Sequence, residues 1–181
     1  MLLGAALINA SHAFLYTFGL LHWTRAGIPE SLASALWTTS IAAEVLLLWR
    51  FADIARRASA RGCLLFAAAV AALRWLATAT DPSWAALLGL QALHAVSFAL
   101  TFVATASFIA RHADDAIAAR AQALAATLAT AATAALTLLS GPLYAAAGAG
   151  GYRAMAGVCG LGALLVAASY RTDLVDRPEP G

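Results

Sequence analysis

The chain has 181 residues, of which 62% are hydrophobic and 11% are charged, with a formal net charge of +2. Soluble domains average about 45–50% apolar and about 25% charged residues, so a water-facing shell cannot be built from this composition. The class is a membrane protein, whose partner is the lipid bilayer and not a nucleic acid, and its mean hydropathy is +0.80.

A hydrocarbon core about 30 Å thick needs roughly 20 apolar residues of helix. Six stretches meet this, at about 2–24, 32–50, 62–79, 84–110, 119–145 and 150–170. The expected fold is therefore an all-α membrane protein, a six-transmembrane-helix bundle over 1–170 followed by a polar cytoplasmic tail over 171–181. Short polar or Gly-rich connectors separate the spans: "RAGIPE", "FADIARRASAR", "TDPS", "RHADDAIAAR" and "GAGG". The first span starts at Met1 with no hydrophilic leader, as expected of a chain cut from something longer.

Orientation follows from the arginines, because cytoplasmic loops retain positive charge. With the second connector, the fourth connector and the tail inside, Arg50, Arg56, Arg57, Arg61, Arg111, Arg120, Arg171 and Arg177 all lie on the cytoplasmic side. Only Arg25 and Arg153 lie outside, and Arg74 falls within a span. Both termini are then cytoplasmic.

Taken in chain order, the first span carries Asn9, His12 and Tyr16, spaced i, i+3, i+7 along one helical face. Glu44 follows in the second span, Arg74 beside Trp75 in the third, and Gln91 with His94 in the fourth. An ionisable group in lipid costs several kcal/mol unless paired or hydrated, so each is a site candidate by default. At about 1.5 Å rise per residue, Glu44 lies roughly 4–5 Å to the cytoplasmic side of its span's midpoint, and Arg74 and His94 about 6 Å to the external side of theirs. Secondary transporters place substrate and coupling-ion sites at this level.

Plainer roles exist for each. Glu44 and Arg74 are candidates for a structural ion pair, and Gln91 and His94 for interhelical hydrogen-bond glue worth about 0.6–2 kcal/mol each. Asn9 and Tyr16 suit packing or cavity lining. His22 and His112 fall at the interfaces and are expected to be solvated, and "RHADD" reads as a charged connector ahead of a metal-ligand set. Cys63 and Cys159 have no disulfide or zinc spacing and read as small packing residues. Haem ligation by His12 and His94 would need a second histidine pair, and His22 and His112 are badly placed for one. No Gly-x-Ser-x-Gly or His-Glu-x-x-His stretch is present, so no enzymatic activity and no cofactor are expected.

Several stretches in order carry a family resemblance. "INASHAFLYTFGLLHW", "LWTTSIAAEVLLL", "LLFAAAVAALRWLATA" and "LQALHAVSFALTF" are similar to the seventh to tenth spans of the 3-phenylpropionate permease family. "RAQALAATL" and "SGPLYAAAGAGGYRAM" fit the eleventh span and the turn into the twelfth. The chain thus resembles the C-terminal half of a major facilitator superfamily transporter, related to the lactose permease and the nucleoside:proton symporters. The resemblance implies that an N-terminal six-helix half, or a second copy of this chain, completes the protein.

The lactose permease likewise puts a glutamate, an arginine and a histidine on its eighth, ninth and tenth spans, the positions held by Glu44, Arg74 and His94. The likeness breaks one turn later, at Ser97, where that permease has a second glutamate. The resemblance implies proton-coupled symport of a small organic solute such as an aromatic carboxylate. Arg74 would grip the carboxylate, Glu44 would carry the coupling proton, and His94 and Gln91 would orient substrate or relay the proton. His12 would assist, with Asn9, Tyr16, Trp75 and Phe98 lining the substrate path. The resemblance places the protein in a bacterial inner membrane.

Overall fold

The structure, a computed structural model, describes residues 1–175, with side chains described except at 51–57 and 170–175. Among these residues every regular element is helical. Helix α1 (Leu2–Ala10) and α2 (Ala13–Arg25) form one apolar stretch interrupted at Ser11–His12. Helices α3 (Glu30–Arg57) and α4 (Ala60–Thr78) follow. Helix α5 (Trp84–Ala92) passes through a π-helical turn at Ala95–Ala99 into α6 (Leu100–His112). Helix α7 (Asp115–Ala147) ends in a 3-10 turn at Gly148–Gly151, and α8 (Tyr152–Val175) completes the fold.

Among the described residues, five stretches are long and apolar enough to cross a membrane: Leu2–Arg25, Glu30–Arg50, Ala60–Thr78, Trp84–His112 and Asp115–Ser169. The last contains both α7 and α8. Its 55 residues would be about 80 Å long as one straight helix. The 3-10 turn at Gly148 (φ +52) breaks it, and both α7 and α8 pack against α1.

The helices overrun the apolar stretches at the polar connectors. Expected as loop, "FADIARRASAR" instead continues α3 to Arg57, since alanine and arginine are strong helix formers. Ser59 then caps α4, its hydroxyl accepting from the Gly62 N–H at 3.0 Å. Likewise α6 reaches His112 and α7 begins at Asp115, which leaves only Ala113 and Asp114 between them. Helix α8 runs five residues into the expected tail, and residues 176–181, with Arg177, lie outside the described residues. So do the side chains of Arg56, Arg57 and Arg171.

Two apolar clusters hold the bundle. One gathers Phe14, Leu15, Trp23, Leu36, Trp75, Tyr152 and Met155, the other Ile8, Leu64, Ala67, Leu100 and Val166. Within the second, α1 and α8 meet backbone to backbone. A Cβ on Gly4 would lie 2.6 Å from the Gly162 carbonyl oxygen, and one on Gly162 would lie 2.8 Å from that of Gly4. Small residues allow such approach where lipid removes any hydrophobic drive between helices. The buried polar residues among those described include Ser11, His12, Ser40, Arg74, Gln91, His94, Ser97 and Thr101.

Candidate functional site

The polar belt is assembled from two helix interruptions and two regular helices. At the first interruption the His12 N–H bonds back to Asn9 O at 3.1 Å, an i−3 contact that tightens the helix and turns the ring inward. Nδ1 of His12 also meets Asn9 O, at 3.0 Å. A carbonyl only accepts, so Nδ1 carries the proton, and in the neutral ring Nε2 is left as an acceptor. Nε2 faces the Ser97 hydroxyl at 3.1 Å. The second interruption follows His94, where the π turn begins. Such turns recur at functional sites because they re-aim side chains.

Helix α3 matches α5 rung for rung. Ser40 and Glu44, one turn apart, face Gln91 and His94, also one turn apart. Gln91 Nε2 donates to Ser40 Oγ at 3.1 Å, and Glu44 Oε1 stands 3.0 Å from His94 Nε2. The Tyr16 hydroxyl reaches the same His94 nitrogen at 3.3 Å. His94 stacks on Phe98 with ring centroids 5.2 Å apart and meets His12 edge-on at 4.9 Å. Its Nδ1 is buried without a hydrogen-bond partner among the described residues.

Arg74 is 1% exposed and spends its fork on neutral groups. Nε donates to Leu90 O at 2.7 Å, Nη2 to Gln91 Oε1 at 2.6 Å, and Nη1 to Ser97 Oγ at 3.4 Å. Its guanidinium carbon also lies 4.4 Å from the Trp75 ring centroid, a cation–π contact. The direct Glu44–Arg74 ion pair weighed from the sequence is therefore not formed; Glu44 pairs with His94 instead. The fourth apolar stretch serves both groups, with Gln91 Oε1 as an acceptor for Arg74 and the His94 imidazole as the partner of Glu44.

His12, Tyr16, Glu44, Arg74, Gln91 and His94 are thus brought together. Of these only Glu44 and Tyr16 reach the surface appreciably, with 24% of the Glu44 side chain exposed. Trp75 and Asn9 are placed otherwise. Trp75 is fully buried, stacked on Tyr152 at 5.6 Å and donating to Ser11 Oγ at 3.0 Å. Asn9, below the interruption, faces a cleft of about 100 Å³ between α1, α6 and α7, shared with Phe102, Thr105 and Gln122. Its Oδ1 is buried and unpartnered among the described residues.

Sequence reasoning missed three hydroxyls that carry the network. Ser40 links Gln91 to α3, and Ser97 joins Arg74 to His12. Ser11 accepts from Trp75 while the Cys159 thiol lies 3.2 Å away. The spacing of Gln91, His94 and Ser97 along one face held the signal for Ser97. His22 also departs from its expected solvated state: it pairs with Asp81 and meets the Tyr144 hydroxyl at 3.1 Å. His112 is exposed, its Nδ1 meeting Phe108 O at 2.9 Å.

Comparison with known proteins supplies the context. The model of the "MFS_1 like family" matches residues 1–152. The chain is 32% identical over 106 residues to the "Probable 3-phenylpropionic acid transporter" of Escherichia coli (strain K12), which covers 58% of this chain and 27% of that protein. The matched segment thus spans about a quarter of the length of that relative. No solved structure matches the chain significantly. With the family's pattern extending over most of a multi-pass helical membrane protein, the chain belongs to the MFS_1-like family.

Proposed function

We propose that the chain is the C-terminal, six-span half of a secondary active transporter that couples proton entry to uptake of a small organic solute, such as an aromatic carboxylate. In this reading α7 and α8 are separate spans, both termini are cytoplasmic, and the protein resides in a bacterial inner membrane. An N-terminal six-helix half, or a second copy of the chain, supplies the facing wall of the site. The name of the Escherichia coli relative, a probable 3-phenylpropionic acid transporter, supports the solute class.

The observation that carries the reading is the Glu44–His94 contact at 3.0 Å. If Glu44 is ionised, His94 Nε2–H donates to it and Nδ1 is the unpartnered acceptor. If Glu44 is protonated, it donates to Nε2 and Nδ1 carries the ring hydrogen. One proton can therefore sit on either side of a preformed contact, beside a surface-reaching carboxylate. Arg74 takes the anion: a substrate carboxylate replaces Gln91 Oε1 and Ser97 Oγ on the fork with two charge-assisted bonds. Phe98 and Tyr16 offer flat apolar surface to a ring.

The test is uptake of radiolabelled 3-phenylpropionate by cells expressing the gene, with and without a protonophore. Accumulation that the protonophore abolishes and that Arg74→Ala lacks supports the reading. Equal counts in wild type, Arg74→Ala and vector-only cells would leave a helical bundle whose polar belt only holds helices together.

A further inference from the structure

At the end of the bundle away from Met1, three elements meet through a contact that the polar belt does not use. His22, in the last turn of α2, pairs through Nε2 with Asp81 in the α4–α5 connection, and through Nδ1 meets the Tyr144 hydroxyl at 3.1 Å. Asp81 holds this place in a left-handed conformation, φ +52, which is uphill for a non-glycine residue. Such a conformation persists where its surroundings over-determine it. Tyr144 lies along α2, stacked on Phe18 with centroids 4.4 Å apart and planes 5° from parallel, with Phe14 at 6.1 Å.

Helix α7 is built to bend just before Tyr144. Ser140 is its one fully buried residue among those described, and its hydroxyl donates to Leu136 O at 2.7 Å, a back-bond that bends helices. Gly141 touches nothing within 4 Å of where a Cβ would stand. Pro142 has no N–H to return to Leu138 O, and its ring presses on that carbonyl. Beyond it the tip Leu143–Ala147 ends at Gly148, whose positive φ (+52) lets the chain leave the helix. The tip therefore has a hinge before it and a positive-φ glycine after it, beyond which the chain is buried again at Ala149 and Gly151, and among the described residues its side-chain polar tie to the rest of the fold is the Tyr144 hydroxyl.

We propose that Leu143–Ala147 is a hinged gate, swinging about Gly141–Pro142 and held shut by the His22–Asp81–Tyr144 latch. The device is independent of which solute the protein carries, and its test uses no solute. Amide hydrogen exchange is measured on the protein in lipid nanodiscs. In Asp81→Asn and in Tyr144→Phe, which keeps the ring stack on Phe18, exchange over Leu143–Ala147 rises about tenfold, the scale of one lost hydrogen bond. Exchange over Asp115–Ala129 stays at the wild-type rate. Adding Pro142→Ala to Asp81→Asn restores the hydrogen-bond ladder and returns the tip to wild-type exchange. The proposal is overturned by an unchanged tip in both single variants, by a rise spread evenly along α7, or by a rise that Pro142→Ala leaves in place.

Discussion

Glu44 Oε1 and His94 Nε2 stand 3.0 Å apart, with the Tyr16 hydroxyl 3.3 Å from the same nitrogen. The carboxylate is partly exposed and the imidazole is not, so the contact joins the protein surface to the buried belt. Glu44→Gln keeps a hydrogen-bonding group against His94 but cannot take up a proton. Uphill accumulation of solute is expected to fall to the equilibrium level, while exchange of labelled for unlabelled solute across the membrane continues near the wild-type rate. Preserved accumulation would remove Glu44 from coupling.

Arg74 carries a second expectation, independent of transport. Its fork satisfies Leu90 O, Gln91 Oε1 and Ser97 Oγ inside a buried belt. Lysine has one short-range point charge and cannot span these acceptors. Each bond lost to a charged group costs about 1.5–3 kcal/mol, so Arg74→Lys should lower stability by about 2–4 kcal/mol in detergent unfolding. A double-mutant cycle with Gln91→Ala should show coupling above about 0.5 kcal/mol. Strict additivity would mean that the Arg74–Gln91 contact is not formed in solution.

The spacing of apolar stretches made the helices readable, and intramembrane charge picked out Glu44, Arg74 and His94. Partner choice was not readable. A soluble helix shows one apolar face, but a membrane helix is apolar towards both lipid and neighbours, so its rotation leaves little periodic trace. Axial depth puts Glu44, Arg74 and His94 within about 6 Å of the midplane as one belt, and depth alone does not say which of them pair. The breaks at Ser11–His12 and after His94 involve neither glycine nor proline, the residues that usually announce them. Asn9 was grouped with His12 by i, i+3 spacing, and the break between them sends its side chain to another cleft. Serines were passed over because in such helices they commonly bond only their own i−4 carbonyl, as Thr17 and Ser34 do here.

Trp75 is placed by packing, and its substitution separates a core role from a solute-binding one. Trp75→Phe retains the flat face against Tyr152 but removes the indole N–H that Ser11 accepts at 3.0 Å. A loss of about 1 kcal/mol in unfolding free energy is expected, with solute affinity in transport assays unchanged. A selective rise in the half-saturation concentration, at wild-type stability, would return Trp75 to the solute path.

The α1–α8 crossing gives the sharpest contrast between neighbouring glycines. On α8, a Cβ at Gly162 would lie 2.8 Å from Gly4 O and 2.8 Å from the Ile8 side chain, whereas one at Gly160 meets nothing within 4 Å. Gly162→Ala must therefore push two backbones apart, and overpacking of this kind costs about 1–3 kcal/mol. Gly160→Ala adds a methyl to open space, and the helix propensity of alanine makes it neutral or stabilising by up to about 1 kcal/mol. Gly4→Ala, whose Cβ would stand 2.6 Å from Gly162 O and 2.8 Å from Val166, should match Gly162→Ala in sign and size. Combining Gly4→Ala with Gly162→Ala should cost less than the sum, because one displacement relieves both clashes. Equal stabilities for the Gly160 and Gly162 variants would show that the helices do not cross at this point.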